Sequence, residues 1–184
     1  MVSKNSKLSQ QDWIEMGFKV LAEGGVAAVR VEPLAKRLNV TKGSFYWHFK
    51  NRQALLTEIL QTWVTLQTDN IIEQVEAAGG DALAKLLYLF ELAVQDDGKV
   101  ENAIRAWATS DVRVVEVLDR VDHRRLTYTR DLFLAAGFTS ADAMVRARMV
   151  YYALIGEFTL GTRANQAERL AEIRLQHQIL TRRE

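Results

Sequence analysis

Apolar residues recur at helical spacing throughout this chain, and no segment sustains the apolar–polar alternation of a half-buried strand. That pattern restricts the fold to the all-α class. Ser9-Gln10-Gln11-Asp12 has the form of an N-cap with an acid three residues on, followed by Ile14, Gly17, Phe18 and Leu21 on one helical face. Gly24-Gly25 should end this first helix. Pro33 suits the first turn of a short second helix with Leu34, Ala35 and Leu38 inward and Lys36 and Arg37 outward. Asn39, which tolerates the left-handed conformation, should stop it.

A third helix is expected over residues 41–50. Asn51 can cap a long fourth that ends at Gly79-Gly80, and Asp81 a fifth, LAKLLYLFELAV, apolar nearly all round and so expected to be central. Val100, Ala103, Ile104 and Trp107 give a sixth, and residues 111–136 a long seventh. A capping box at Thr139 to Asp142 opens an eighth that runs to Leu160, and residues 166–182 form a ninth. The expectation is about nine helices, with a boundary after residue 50 between a three-helix head (1–50) and a helical bundle (51–184).

At 184 residues, 48% hydrophobic and 26% charged, the chain can bury a sizeable core. It has no cysteine, which removes disulfide and thiolate chemistry. Neither an apolar signal core nor a run of about 18 apolar residues is present, so no membrane partner and a cytoplasmic location are expected. The net charge of +1 conceals an asymmetry: residues 1–52 hold nine Lys or Arg (Lys4, Lys7, Lys19, Arg30, Lys36, Arg37, Lys42, Lys50, Arg52) against four acids, a balance of +5 that leaves −4 for the rest. A basic head on an acidic body fits a head that meets a polyanion.

The stretch VTKGSFYWHFKNRQALL, residues 40–56, sets five aromatic residues in a row among Lys42, Lys50 and Arg52. At 100° per residue, Phe45 and Phe49 share one side of the third helix, while Gly43, Trp47 and Lys50 lie roughly opposite with Tyr46 beside them. Two aromatic faces with two jobs follow: the phenylalanines anchor the element, and the other face is free to meet a partner. Gly43 permits close backbone approach, and Thr41 stands at the helix N-terminus, where amides attract phosphate. Tyr46, His48 and Lys50 can bond phosphate oxygens, and Trp47 can press on base edges or a thymine methyl.

A helix, a turn at Asn39 and a second helix with such a face make a helix-turn-helix. The run VRVEPLAKRLNVTKGSFYWHFKNRQALL, residues 29–56, closely resembles the DNA-binding segment of TetR-family transcriptional regulators, with the Tyr-x-His-Phe signature at Tyr46 to Phe49. With the first helix added, the resemblance covers about residues 9–60. It implies an all-helical homodimer that binds double-stranded operator DNA, with Thr41, Lys42, Gly43, Ser44, Tyr46, Trp47, His48 and Lys50 at positions that touch DNA. Asn39 stands where the family often has Gly, and Pro33 is less usual at the start of its helix.

The resemblance also implies that the body dimerises and carries a small-molecule pocket. The eighth helix has Tyr151, Leu154 and Phe158 at helical spacing, with Ala153 and Gly156 small enough for close helix approach. Ile173 and Leu180 of the ninth join them as interface candidates, and two such helices from each subunit would make a four-helix interface. Trp63, Tyr88, Phe90, Trp107 and Phe133 can line an apolar cavity, with Arg105, Asn70 or Thr109 as polar partners for an unidentified effector, or can be plain core.

Three functions compete: a ligand-responsive repressor on a near-palindromic operator, a constitutive DNA-binding dimer, and a helical metalloenzyme. The last would use Glu116, Asp119 and His123 at i, i+3 and i+7 with Asp122 adjacent, but Arg120, Arg124 and Arg125 favour surface ion pairing there. No nucleophile–base pair or phosphate-binding glycine loop is present, so neither catalysis nor a cofactor is expected.

Overall fold

The structure is a computed structural model that describes residues 8–161 and 165–182. The secondary structure is helical, in the order α1 (Gln10–Ala28), α2 (Val31–Arg37), α3 (Lys42–Tyr46), α4 (Arg52–Val64), a π turn (Thr65–Asp69), α5 (Asn70–Ala78), α6 (Ala82–Ala93), α7 (Lys99–Ala108), α8 (Val112–Ala135), α9 (Ser140–Leu160) and α10 (Gln166–Thr181). Because α4, the π turn and α5 follow without a break, the described residues hold nine helical segments, as the periodicity indicates. In the π turn the Asn70 N–H reaches back five residues to the Thr65 carbonyl.

The caps act as the sequence leads one to expect. Ser9 and Asp12 bond each other's backbone amides, with Asp12 N–H to Ser9 Oγ at 3.3 Å and Ser9 N–H to Asp12 Oδ2 at 2.6 Å. Asn51 accepts from Ala54 N–H at 2.9 Å, Asp81 from Ala84 N–H at 2.9 Å, and Thr139 from Asp142 N–H at 3.2 Å. Two boundaries differ from expectation. Helix α1 resumes for a turn after Gly25, whose φ of +69° breaks the regular run. The third helix is shorter than 41–50: it ends at Tyr46, and its last turn tightens, with the His48 and Phe49 amides both donating to the Phe45 carbonyl at 2.9 Å.

The chain forms two compact units. The first comprises residues 1–63 and 99–114. Here α1 packs on α7 and α2, and α2 packs on α3. Trp13, Leu21, Leu34, Phe45, Leu55, Leu56 and Ile59 are fully enclosed, each burial stabilising by roughly 1.5–3 kcal/mol. The Trp13 ring meets Phe45 edge-on at 5.2 Å, and Phe45 stacks on Phe49 at 5.4 Å. Gly17 lets α1 approach α4 so closely that a Cβ there would overlap the Ile59 side chain.

The second unit comprises residues 64–98 and 115–184. Its core gathers Leu86 and Phe90 of α6, Leu132 and Phe133 of α8, Ala143 and Ala147 of α9, and Leu180 of α10. Outside Leu86 and Phe90, α6 is half-buried for most of its length rather than fully enclosed. Polar ties brace the helices: Arg125 donates to Thr68 Oγ1 at 3.0 Å and to the Gln67 carbonyl at 3.1 Å, meeting the backbone where the π turn widens it. The Tyr128 hydroxyl donates to Glu76 at 2.7 Å, and His177 Nε2 lies 3.0 Å from the Leu83 carbonyl oxygen. Among the described residues, no helix is long and apolar enough to cross a membrane.

Candidate nucleic-acid interface

The turn between α2 and α3 sets the geometry of the head. Asn39 adopts φ +55°; its N–H donates to the Lys36 carbonyl at 3.2 Å, and the Val40 N–H donates to the Ala35 carbonyl at 3.0 Å. This pair of bonds is a Schellman motif, and it fulfils the role expected of Asn39. Thr41 then takes extended angles and starts α3, its side chain making no capping bond. Phe45 and Phe49 turn inward, at 0% and 3% exposure, and fix the rotation of α3 about its axis.

The opposite face is open. Trp47 is 86% exposed and Tyr46 54%; Thr41, Lys42, Gly43 and Lys50 are exposed, and Ser44 and His48 half-buried. All eight residues are thus brought onto one short element and its flanks. Nothing inside the chain requires Gly43 to be glycine: its φ is ordinary, and an added Cβ would meet only Thr41 Oγ1 at 3.6 Å. Lys42 is not a free cation, since its Nζ donates to Glu32 Oε1 at 2.8 Å. That hydrogen bond holds the Glu32 carboxyl below, and the Lys42 ammonium above, their ordinary values.

Three basic residues that were not among the expected DNA contacts acquire positions. Arg30 and Lys36 line an open groove of about 710 Å³ with Glu32, Lys42 and Tyr46. A neighbouring groove of about 550 Å³ is lined by Glu32, Lys36, Asn39, Thr41 and Lys42. Arg52 instead turns inward to the carbonyls of Val26 and Val29. The turn of Arg52 toward these carbonyls depends on where the end of α1 lies, which helical spacing does not give. Lys4 and Lys7 lie outside the described residues.

The residues expected to line an effector pocket divide between the two units. Trp63, Arg105 and Trp107 belong to the first, where Trp63 and Trp107 are buried, Trp107 bonds Asp111, and Arg105 pairs with the buried Glu101 at 2.7 Å. Phe90 and Phe133 belong to the core of the second, with Tyr88 half-buried on α6. Asn70 is half-buried at the start of α5, and the exposed Thr109 donates to the Ala106 carbonyl at 2.7 Å.

The expected interface residues also separate. Tyr151 and Phe158 are buried within their own unit, Tyr151 donating to Asp122 at 2.5 Å and Phe158 lying against Gly98. Leu180 sits in the core, and Ile173 packs on it. Ala153 is exposed, and Leu154 and Gly156 are half-buried. Ala153, Leu154 and Ile173 line a groove of about 400 Å³ between α9, α10 and the end of α6. Among the described residues, no group of three or more His, Asp or Glu is placed to hold a metal ion, and Asp122, one of the metal candidates, is engaged by Tyr151.

Residues 14–59 match the family model described as bacterial regulatory proteins, tetR family. The match extends well beyond the head in one curated relative: over 179 residues the chain is 25% identical to the tetracycline repressor protein class C of Escherichia coli, covering 96% of this chain and 75% of that protein. The head carries the DNA-binding segment of the TetR family. That segment makes the chain a DNA-binding transcriptional regulator, and the matching family is one of regulators rather than of enzymes. Solved structures of two named regulators are among those that share the fold of this chain. One is the fatty acid degradation regulator FadR of Bacillus halodurans, with a TM-score of 0.69 at 19% identity over 98% of this chain and 97% of that one. The other is the ketosteroid transcriptional regulator KstR2 of Mycobacterium tuberculosis, with a TM-score of 0.69 at 13% identity over 97% and 95%.

Proposed function

We propose that this protein is a repressor that binds a near-palindromic operator as a homodimer, with the head of residues 1–50 reading DNA and residues 51–184 providing dimerisation and effector response. One observation carries the DNA reading: Trp47 stands 86% exposed while Phe45, two residues before it, is fully enclosed. A tryptophan left in water forfeits burial worth a few kcal/mol, and flanking Lys42, Lys50, Tyr46 and Thr41 supply the donors that phosphate and base edges require. Gly43 fits the same reading, since its lack of a side chain serves nothing within the chain. Such a reader works where DNA is, in the cytoplasm.

Dimerisation is supported by a second unpartnered face. Val145, Met149, Tyr152 and Leu160 of α9 are exposed at i, i+4, i+7 and i+15, and Gly156, at i+11 on the same stripe, has open space where a Cβ would be. Leu175 and Ile179 of α10 are likewise exposed, one helical turn apart. A stripe of large apolar residues with glycine in its middle suits a second helix that approaches closely, and two helices from each subunit would close a four-helix interface. Two-fold symmetry then calls for half-sites about one helical turn of DNA apart, or a small multiple of it.

The effector reading rests on the family resemblance. The names of the relatives point to tetracycline, fatty acid degradation and ketosteroids, chemistries too unlike one another to carry a single effector to this chain. Titration of a labelled duplex from the adjoining promoter, with and without tetracycline, fatty-acyl and steroid compounds, tests the whole proposal. Specific binding that a compound weakens supports a responsive repressor, specific binding that no compound alters supports a constitutive dimer, and no specific binding rejects both.

A further inference from the structure

The α2–α3 face is basic except at one point. Glu32, with 75% of its side chain exposed, is the one acid among the described residues that line the two grooves beside α3, and both grooves share it with Lys36 and Lys42. A carboxylate on a surface that meets a polyanion is repelled by every phosphate, so it weakens binding to all sequences unless the duplex offers it a donor. In the major groove, the donors on base edges are the amino groups of cytosine and adenine.

Glu32 also does not stand alone. Its Oε1 lies 2.8 Å from Lys42 Nζ, which joins the first turn of α2 to the first residue of α3. The ammonium has three N–H donors, of which Glu32 takes one and leaves two. The pair therefore presents an acceptor beside a donor, the complement of the amino and keto groups that lie side by side on one base pair. Guanine offers the ammonium both O6 and N7, and cytosine N4 offers the carboxylate its usual partner. The ion pair holds Glu32 ionised and acceptor-only, so the match is not lost to protonation near neutral pH.

We propose that Glu32 and Lys42 together read one C·G base pair in each half-site, Glu32 accepting from cytosine N4 and Lys42 donating to guanine O6 and N7. This rests on the reading of α3 as an element that enters the major groove. It assigns a base edge to Lys42 and a role in specificity to Glu32.

Selection from a randomised duplex library by the full-length protein, by Glu32→Gln and by Lys42→Met tests it, with thermal melting to check that each is folded. The wild-type protein should prefer C·G at one position per half-site by about tenfold or more over the other pairs. Because glutamine pairs with adenine, Glu32→Gln should move the preference at that position alone from C·G to A·T, and Lys42→Met should erase it. If Glu32→Gln binds every duplex more tightly by one common factor and selects the same sequence as the wild type, Glu32 is only a diffuse charge and the inference is wrong, while the operator reading stands. If the wild-type protein selects no sequence at all, both fall together.

Discussion

Arg52 Nε donates to the Val29 carbonyl at 2.5 Å while its Nη2 reaches the Val26 carbonyl, so one guanidinium at the start of α4 closes off the end of α1. Carbonyls at the end of a helix lack partners within it, and Gly25 has already broken the regular ladder there. The planar fork reaches two carbonyls there at once, that of Val29 and that of Val26, which also accepts from the Val29 N–H at 3.3 Å. Arg52→Ala should cost about 1.5–3 kcal/mol of stability in chemical denaturation, and Arg52→Lys should restore less than half of it. A fully stable alanine variant would mean that water satisfies these carbonyls equally well.

Gly17 and Ile59 form a second tight pair. Any side chain at position 17 must displace Ile59 from its enclosed position. Gly17→Val should destabilise the head by about 1–3 kcal/mol, and adding Ile59→Ala should cost less than the two single losses together, because the smaller side chain makes room. A double-mutant cycle with strictly additive losses would show that the two do not share that space.

At Gly156 the expectation is reversed. A Cβ there meets nothing among the described residues, so Gly156→Leu should leave the melting temperature of the isolated chain unchanged or higher. If this face is the proposed dimer interface, sedimentation should nevertheless show a monomer, and operator affinity should fall because one head grips only one half-site. A Gly156→Leu protein that still sediments as a dimer and binds with full affinity would exclude this face as the interface.

Lys50 offers a test by salt. If it neutralises a phosphate, Lys50→Ala should weaken binding to all duplexes alike and lower the slope of log affinity against log salt by about 0.9 for each phosphate left without its cation. Trp47→Ala should instead lower discrimination among operators. An unchanged slope in the folded Lys50→Ala protein would remove Lys50 from the interface.

The Glu76 cluster should leave a mark on the pH dependence of stability. Glu76 is held below its ordinary value of 4.5, first by Lys85 and then by the Tyr128 hydroxyl. Tyr128 is pushed above its ordinary 10.0, first by burial and then by Glu76. A lowered carboxylate stabilises fully above its unfolded value, and this is lost as pH falls through the folded one; a raised phenol stabilises below its unfolded value, and this is lost as pH rises toward the folded one. The cluster should therefore contribute most between those two limits, and Glu76→Gln should flatten the acid side of a stability–pH profile. An acid limb identical in variant and wild type would contradict this.

Much of this was legible in the sequence because local chemistry determined it. Ser9, Asn51, Asp81 and Thr139 cap through their own side chains, Asn39 takes φ +55° for reasons internal to the turn, and Phe45 and Phe49 share a face through helical spacing alone. What spacing could not supply was the identity of a helix's neighbour. Tyr151, Phe158 and Leu180 have the periodicity of an interface and are buried within the unit, whereas Val145, Met149 and Tyr152 on the same helix as the first two are left exposed. An apolar stripe looks the same whether its own chain or a second copy covers it. The ion pair between Glu32 and Lys42 was hidden for a similar reason, since it joins two helices across ten residues of sequence.

Helix α7 belongs to the same compact unit as α1 through α4 up to Trp63, and it packs on α1 with Ile104 and Trp107 enclosed, although 35 residues of the other unit precede it in the chain. The reading head is therefore not a portable cassette. A chimera that exchanges residues 1–63 between relatives would lay a foreign α1 against the resident α7, so a working transplant has to carry both segments, and variation in α1 and α7 is constrained to proceed in step.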